Sequence, residues 1–344
     1  MTDAIEIDTD GVTVRITHPD KLYFDTRSET KLDLVDYYRA VATPLLRTIG
    51  NRPVLLERYP DGAGGKSWFQ KRVPKTAPDW LRTVQVSTPN GTTSDALVAA
   101  DLAHILWAVN LGCLGFHVWP NHLPTGTPRT TETGIGDLDI SDELRIDLDP
   151  SPGIGFDELR HTATLTRDLL TELGIDARVK TSGSRGLHIY ALLEPVWDGY
   201  QVRAAAVALA RELERRHPDL ITAQWWKEQR GQRVFIDYNQ NAPHKTVFGA
   251  WCVRPKASAQ VSTPISWDEL PTVDPADLTI ATVPHRIAET GDPWADRTPQ
   301  SITPLLEMSR TDFESGLLDA PWPPQYPKMP NEPPRVQPSR ARTS

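Results

Sequence analysis

Apolar and polar residues alternate with a period of two in three stretches between residues 145 and 237: Arg145-Ile-Asp-Leu-Asp-Pro150, Leu187-His-Ile189 and Val234-Phe-Ile-Asp237. Read as strands, they send Ile146, Leu148, Leu187, Ile189, Val234 and Ile236 to one side and Asp147, Asp149, His188 and Asp237 to the other. Between them the period changes. From Phe156 to Leu173 the apolar residues Leu159, Ala163, Leu169, Leu170 and Leu173 recur at helical spacing, with Asp157 and Glu158 in the first turn and Gly174 just past the end. A second helix is predicted from about Tyr200 to Arg216, where Val202, Ala205, Ala206, Leu209 and Leu213 form an apolar stripe opposite Arg211, Glu212, Arg215 and Arg216.

The predicted order is strand (142–149), helix, strand (176–181), turn (182–186), strand (187–193), helix, strand (232–238). This is the split β-α-β-β-α-β arrangement of ferredoxin-like and RRM folds, an α+β class in which both helices cover one face of an antiparallel sheet. The other face is expected to be free, and the acids lie on it. Upstream, helices are predicted over Lys31 to Thr48, where Leu34, Tyr37, Tyr38, Val41 and Leu45 repeat helically, and over Ser94 to Asn110, rich in Ala, Leu and Ile. One domain over residues 1–300 is expected, with an amino-terminal module at about 14–135 and an RRM-like catalytic module at about 140–290. From Asp319 the composition turns to proline, which predicts a flexible tail over 319–344 with a basic end.

Three carboxylates on one sheet face, Asp147, Asp149 and Asp237, form a hard oxygen donor set. Two-metal enzymes hold their cations roughly 3.5–4 Å apart, and magnesium and manganese keep several water ligands, so a small protein shell is enough. The Ser182-Gly-Ser-Arg-Gly186 turn precedes the outward His188. Its backbone N–H groups, the Ser182 hydroxyl and the Arg185 guanidinium can converge on a triphosphate. The bland alternatives are solvated strand-end carboxylates and an ordinary hairpin turn. A lone D-x-D pair does not decide between them; three acids beside a histidine favour a site.

Together these features resemble the catalytic core of the archaeo-eukaryotic primase superfamily. Ser182-Gly-Ser-Arg-Gly-Leu-His188, Asp237-Tyr-Asn-Gln-Asn241 and Thr17-His-Pro-Asp-Lys21 resemble the polymerase domain of bacterial ligase D in particular, over about Val14 to Glu289. The resemblance implies a stand-alone primase-polymerase that extends primers and fills short 5′-phosphorylated gaps in DNA end joining, using NTP or dNTP. It implies two divalent metal ions, Mn2+ preferred or Mg2+, with Asp147 and Asp149 bridging both and Asp237 on the primer side. Ser182, Arg185, His188, Gln240, Arg254 and His117 are implied nucleotide contacts. Lys21 and Lys31 match the lysines that grip a 5′-phosphate, and Trp68 and Phe69 match the aromatic pair that stacks on the template. Two positions depart from the pattern: His18 stands where Asn is common, and Glu57 where the family often has Lys. Glu57 is expected to repel a triphosphate, so either Arg58 or Lys71 takes the role of that Lys or nucleotide selection differs from the relatives, which tend to prefer ribonucleotides and manganese. A separate DNA ligase or end-binding protein is an implied partner.

Whole-chain charge runs against a polynucleotide partner, with 37 basic and 45 acidic residues and a net charge of −8 over 344 residues. Its distribution reduces the objection. Residues 52–82 hold seven basic residues, Arg52, Arg58, Lys66, Lys71, Arg72, Lys75 and Arg82, against the acidic Glu57, Asp61 and Asp79, interleaved with Tyr59, Trp68, Phe69 and Trp80. A basic strip with aromatic platforms can track phosphates and stack bases; the alternative is a solvated charged loop anchored by its aromatics. The two cysteines, Cys113 and Cys252, have no zinc spacing. No signal sequence or apolar run of membrane length is seen, so a cytoplasmic, nucleoid-associated protein is expected, by default a monomer and without a membrane partner. Two other function classes use the same residues. A metal-dependent phosphodiesterase or nuclease would employ the same acids, and a non-catalytic RRM-like binder would employ the sheet face.

Overall fold

Two mixed sheets organise the chain in the computed structural model, which describes residues 3–123, 130–131 and 140–335. The first sheet runs in the order Thr130–Thr131, Thr83–Ser87, Thr93–Val98, Pro53–Arg58, Cys113–Val118, Val247–Phe248, with Trp68–Gln70 also paired to Pro53–Arg58. The second runs Ile221–Thr222, Val234–Asp237, Ile140–Pro150, Leu187–Asp198, Arg178–Thr181, Pro264–Ile265. This second sheet and its two long helices are the split pattern read from the sequence.

The helices follow from local chemistry. Helix α1 (Lys31–Ala40) starts on Thr30, whose hydroxyl accepts the Asp33 N–H while the Asp33 carboxylate accepts the Thr30 N–H, a capping box. The single helix expected over Lys31 to Thr48 breaks at Val41, and α2 covers Ala42–Ile49. Pro44 has no N–H to give Ala40, so one helix cannot run through it. The helix expected over Ser94 to Asn110 is half strand: Thr93–Val98 pairs with Thr83–Ser87, and only Leu102–Asn110 forms α3. Cross-strand pairing overrides the helical propensity of Ala and Leu there, and Asp101, capping the His104 N–H at 3.1 Å, sets the true start.

Helices α4 (Phe156–Glu172) and α5 (Gly199–Arg216) bury Leu159, Ala163, Leu169 and Leu170, and Val202, Ala205, Leu209 and Leu213, in one core with Ile146, Leu148, Leu187 and Ile189. Helices α6 (Lys227–Arg230), α7 (Val283–Thr290) and α8 (Thr303–Glu314) follow. No helix among the described residues is long and apolar enough to cross a membrane.

Two expectations are corrected. The second face of the second sheet is not free, because the first sheet lies over much of it. Arg145 donates to the Val118 and Trp119 carbonyls at 2.8 and 3.0 Å, Arg52 forks onto Asp142 at 2.6 and 3.0 Å, and Lys180 Nζ donates to the Phe248 carbonyl at 3.2 Å. Polar alternation therefore marked a buried, hydrogen-bonded interface as well as an exposed end. The flexible tail expected from Asp319 is also packed over much of its length. Ala320, Trp322, Tyr326 and Glu332 are buried, because Trp322 and Tyr326 supply apolar surface among the prolines. Residues 336–344 lie outside the described residues.

Candidate active site

Strand register brings the three carboxylates to one face. Asp147 in Ile140–Pro150 sits directly opposite Asp237 on one side and His188 on the other. Asp149, two residues on, shares their face and is exposed, whereas Ile146 and Leu148 are buried on the opposite face. Burial, followed by the charges of Asp149 and Asp237, pushes the Asp147 carboxyl well above the ordinary carboxylate range. Asp237 is raised for the same reasons, burial first and then Asp149. The cluster is thus electrostatically strained and suited to a cation.

Two groups hold Asp237. Its Oδ1 accepts the Asn239 N–H at 3.1 Å and its Oδ2 accepts Gln240 Nε2 at 2.8 Å. Gln240, expected at the nucleotide, is therefore placed on the carboxylate. His188 Nε2 lies 3.4 Å from Asp147 Oδ1, and its Nδ1 is buried without a partner. Burial and the nearby Lys180, Arg254 and Arg145 hold this imidazole neutral, its pKa well below the usual value. The pair is accordingly a close approach of a neutral ring to a carboxyl rather than an ion pair.

The Ser182–Gly186 turn is tightly built. Ser182 Oγ accepts the N–H groups of Ser184 and Gly186 at 3.2 and 3.0 Å, and the Ser182 carbonyl accepts Arg254 Nε at 2.6 Å. Two of the N–H groups expected to face a phosphate are thus satisfied within the turn, while the Ser182 O–H and the exposed Arg185 side chain are left to act. Gly183, at φ +69°, has no alternative: a Cβ there would sit 2.7 Å from Arg254 Cγ and 2.9 Å from the Ser262 nitrogen. Arg254 lies 3.7 Å from the Phe248 ring centroid.

Glu57 does not stand alone beside this cradle. Its Oε2 is 3.0 Å from His117 Nε2 and its Oε1 accepts the Tyr59 hydroxyl at 3.0 Å. Burial alone would raise its pKa, but the His117 and Tyr59 contacts and the Arg254 charge outweigh it and hold the carboxyl below its ordinary value. The His117 ring in turn packs edge-on between Phe69 and Phe248, at 5.3 and 5.2 Å.

The amino-terminal candidates divide into open and occupied groups. Trp68 and Phe69 are 47% and 54% exposed, unusual for large aromatics, and the Arg58 guanidinium sits 5.0 Å from the Trp68 ring. Arg58 itself is engaged with the Leu111 carbonyl and Gln70; Lys71 is exposed. Lys21 pairs with Asp61 at 2.8 Å. Lys31 is buried, donating to the carbonyls of Thr17 and Asn110 at 2.8 and 3.2 Å, and burial together with Lys21 lowers its pKa to about 8.

Sequence reasoning missed Lys180 and Arg230. Lys180 is the cross-strand neighbour of His188, buried, and bonded to Ser262 Oγ at 2.5 Å; alternation in Arg178–Thr181 places it on the acidic face and could have found it. Arg230 stacks 3.6 Å from the Phe235 ring centroid and feels the charges of Asp237 and Asp149. It arrives from α6, which no periodicity announced.

Among the described residues no three His, Cys, Asp or Glu side chains converge closely enough to hold a cation unaided. The donor chemistry nevertheless fits a hard divalent ion, with carboxylate oxygens, no sulfur, and neighbouring acids whose charge adds to burial in raising the pKa of Asp147 and Asp237.

Residues 30–294 match the family described as LigD, primase-polymerase domain. The chain is 30% identical over 321 residues to the multifunctional non-homologous end joining protein LigD of Mycolicibacterium smegmatis, covering 92% of this chain and 40% of that protein. It is also 30% identical to the bifunctional non-homologous end joining protein LigD of Bacillus subtilis, covering 83% of this chain and 45% of that one. The chain therefore spans less than half the length of these relatives. Among solved structures, the polymerase domain from Mycobacterium tuberculosis ligase D in complex with DNA superimposes with a TM-score of 0.74 at 32% identity, covering 82% of this chain and 96% of that domain.

Proposed function

The chain belongs to the LigD primase-polymerase family, nucleotidyltransferases of the DNA polymerase type, and on that premise we propose that it extends primers and fills short 5′-phosphorylated gaps during the rejoining of DNA ends. The observation that carries the reading is the register that sets Asp147 directly between His188 and Asp237, with Asp149 on the same face. Asp147, Asp149 and Asp237 would hold divalent cations, Mn2+ or Mg2+, which when bound neutralise triphosphate charge and activate the primer hydroxyl.

The chain's own groups have separate tasks in this proposal. Gln240 and the Asn239 N–H fix the Asp237 carboxylate. The Ser182 hydroxyl, Arg185 and Arg254 face the phosphates, and neutral His188 offers a hydrogen-bonding edge without adding a charge. Trp68 and Phe69, exposed on the basic strip, stack on the template beside the gap. Lys21 and Lys31 receive the 5′-phosphate beyond it. The proposal extends to a DNA ligase or end-binding protein that acts on the same break.

The test is incorporation of NTP and dNTP into a 5′-phosphorylated gapped duplex with Mn2+, by the wild type and by an Asp147→Ala, Asp149→Ala double variant. Extension by the wild type alone is expected. Shortened rather than lengthened strands would replace the reading with a phosphodiesterase, and equal extension by the variant would remove the site.

A further inference from the structure

The family match ends at residue 294, yet the chain beyond it reaches back to the turn that carries Asp237. Asn239, in the 3-10 turn Tyr238–Asn241, is buried and held from two sides. Its Oδ1 accepts Arg203 Nε from α5 at 2.8 Å, and its Nδ2 donates to the Pro321 carbonyl at 3.0 Å. Arg203 is only 1% exposed, and its charge is met by Asp319 at 3.0 Å and by the Ala320 carbonyl at 2.8 Å, both from the carboxy-terminal segment. The Trp322 ring lies 3.8 Å from the same guanidinium and donates its Nε1–H to Asp319 at 2.7 Å. On the far side of the turn the Tyr326 hydroxyl donates to the Pro243 carbonyl. Glu332 closes the segment on itself by accepting the N–H groups of Trp322 and Met329.

We propose that residues 319–335 form a strap that fixes the Asp237 carboxylate, acting through Asn239 and Arg203 as positioning residues. The inference rests on the reading of Asp237 as a metal-holding carboxylate. The Asn239 N–H is bonded to that carboxylate, and the Asn239 side chain is bonded to the strap and to Arg203, so one residue transmits the position of the strap to the acid. If the strap were lost, Arg203 would be a buried charge without its carboxylate and Asn239 Nδ2 would lose its acceptor. Groups that orient a ligand from outside the metal's own shell commonly affect affinity by 10–100-fold, which sets the size of the expected effect.

The experiment titrates the full chain with Mn2+ alone by calorimetry, then follows gap extension across a Mn2+ series. Asn239→Ala is expected to weaken Mn2+ binding about tenfold, with extension recovering as Mn2+ is raised and gapped-duplex binding unchanged. The near-isosteric Asp319→Asn, chosen to preserve folding, should shift Mn2+ affinity in the same direction by less. Wild-type Mn2+ affinity in both variants, even with a lowered melting temperature, would reduce the strap to a structural element and overturn the proposal. Unchanged Mn2+ affinity in Asp237→Ala would instead overturn the site reading on which the strap depends.

Discussion

The Glu57 carboxylate meets the His117 imidazole at 3.0 Å, so the residue expected to repel a triphosphate is partnered at the edge of the phosphate cradle. It still adds negative charge near Arg254. Glu57→Gln is expected to lower the KM for NTP by up to about fivefold, since one partly exposed charge contributes roughly 1 kcal/mol or less. kcat should change little. Steady-state extension kinetics decide the matter: a raised KM would mean that Glu57 serves chiefly to orient His117.

Lys31 predicts an unusual pH dependence. Its pKa is lowered to about 8, by burial and then by Lys21, so the protonated form needed by a phosphate is depleted over an accessible range. Between pH 7 and pH 9 the competent fraction falls about tenfold, and the preference for a 5′-phosphate over a 5′-hydroxyl gap should fall with it. The sign for stability is the reverse: with the folded pKa below the unfolded one, the folded protein binds fewer protons between about 8 and 10.5, so this group favours folding more as pH rises through that window. Fluorescence binding titrations on the two gap types at several pH values test the first point. A preference that is flat to pH 9, or equal losses on both gaps in Lys31→Met, would remove Lys31 from the phosphate.

The catalytic sheet was legible because period-two alternation and helical spacing are local signals, and Asp147, Asp149, His188 and Asp237 came from alternation alone. Alternation reports polarity, however, and not exposure. It could not tell that Arg145 and Lys180 lie under a second sheet, bonded to Val118, Trp119 and Phe248. The Ala-rich stretch from Ser94 hid a strand because its pairing partner, Thr83–Ser87, is a tertiary fact. The strap was missed because proline content suggested mobility, while Trp322 and Tyr326, two residues among many prolines, determine that it packs.

Asp147 is central to the repulsion among the acids, which makes metal-free stability informative. Asp147→Asn removes the carboxyl whose pKa burial, and then the charges of Asp149 and Asp237, raise. The metal-free variant is expected to melt higher than the wild type by on the order of 2 °C, the shift that roughly 1 kcal/mol produces in a large domain. Mn2+ should raise the melting temperature of the wild type and not of the variant, because binding to the native state alone stabilises it. Extension activity should be lost. Scanning calorimetry with and without Mn2+ measures both effects; a destabilised variant that keeps its Mn2+ shift would assign Asp147 to ordinary structure.

Trp68 separates the docking role of the amino-terminal strip from a packing role. The side chain is half exposed and its close contact is the Arg58 guanidinium at 5.0 Å, so little core depends on it. Trp68→Ala should leave the melting temperature nearly unchanged, since exposed substitutions usually fall within about 0.5 kcal/mol. Gapped-duplex affinity should fall about tenfold, within the roughly 1–3 kcal/mol attributed to one aromatic stacked on a base. NTP affinity should be unaffected, because the Trp68 ring packs on Arg58 and not on His117. Phe69→Ala is the informative companion: its ring packs on His117, so it should weaken both the gap and the nucleotide. Equal gap affinity in Trp68→Ala, measured by anisotropy on the same duplex, would return Trp68 to a surface residue that only covers Arg58.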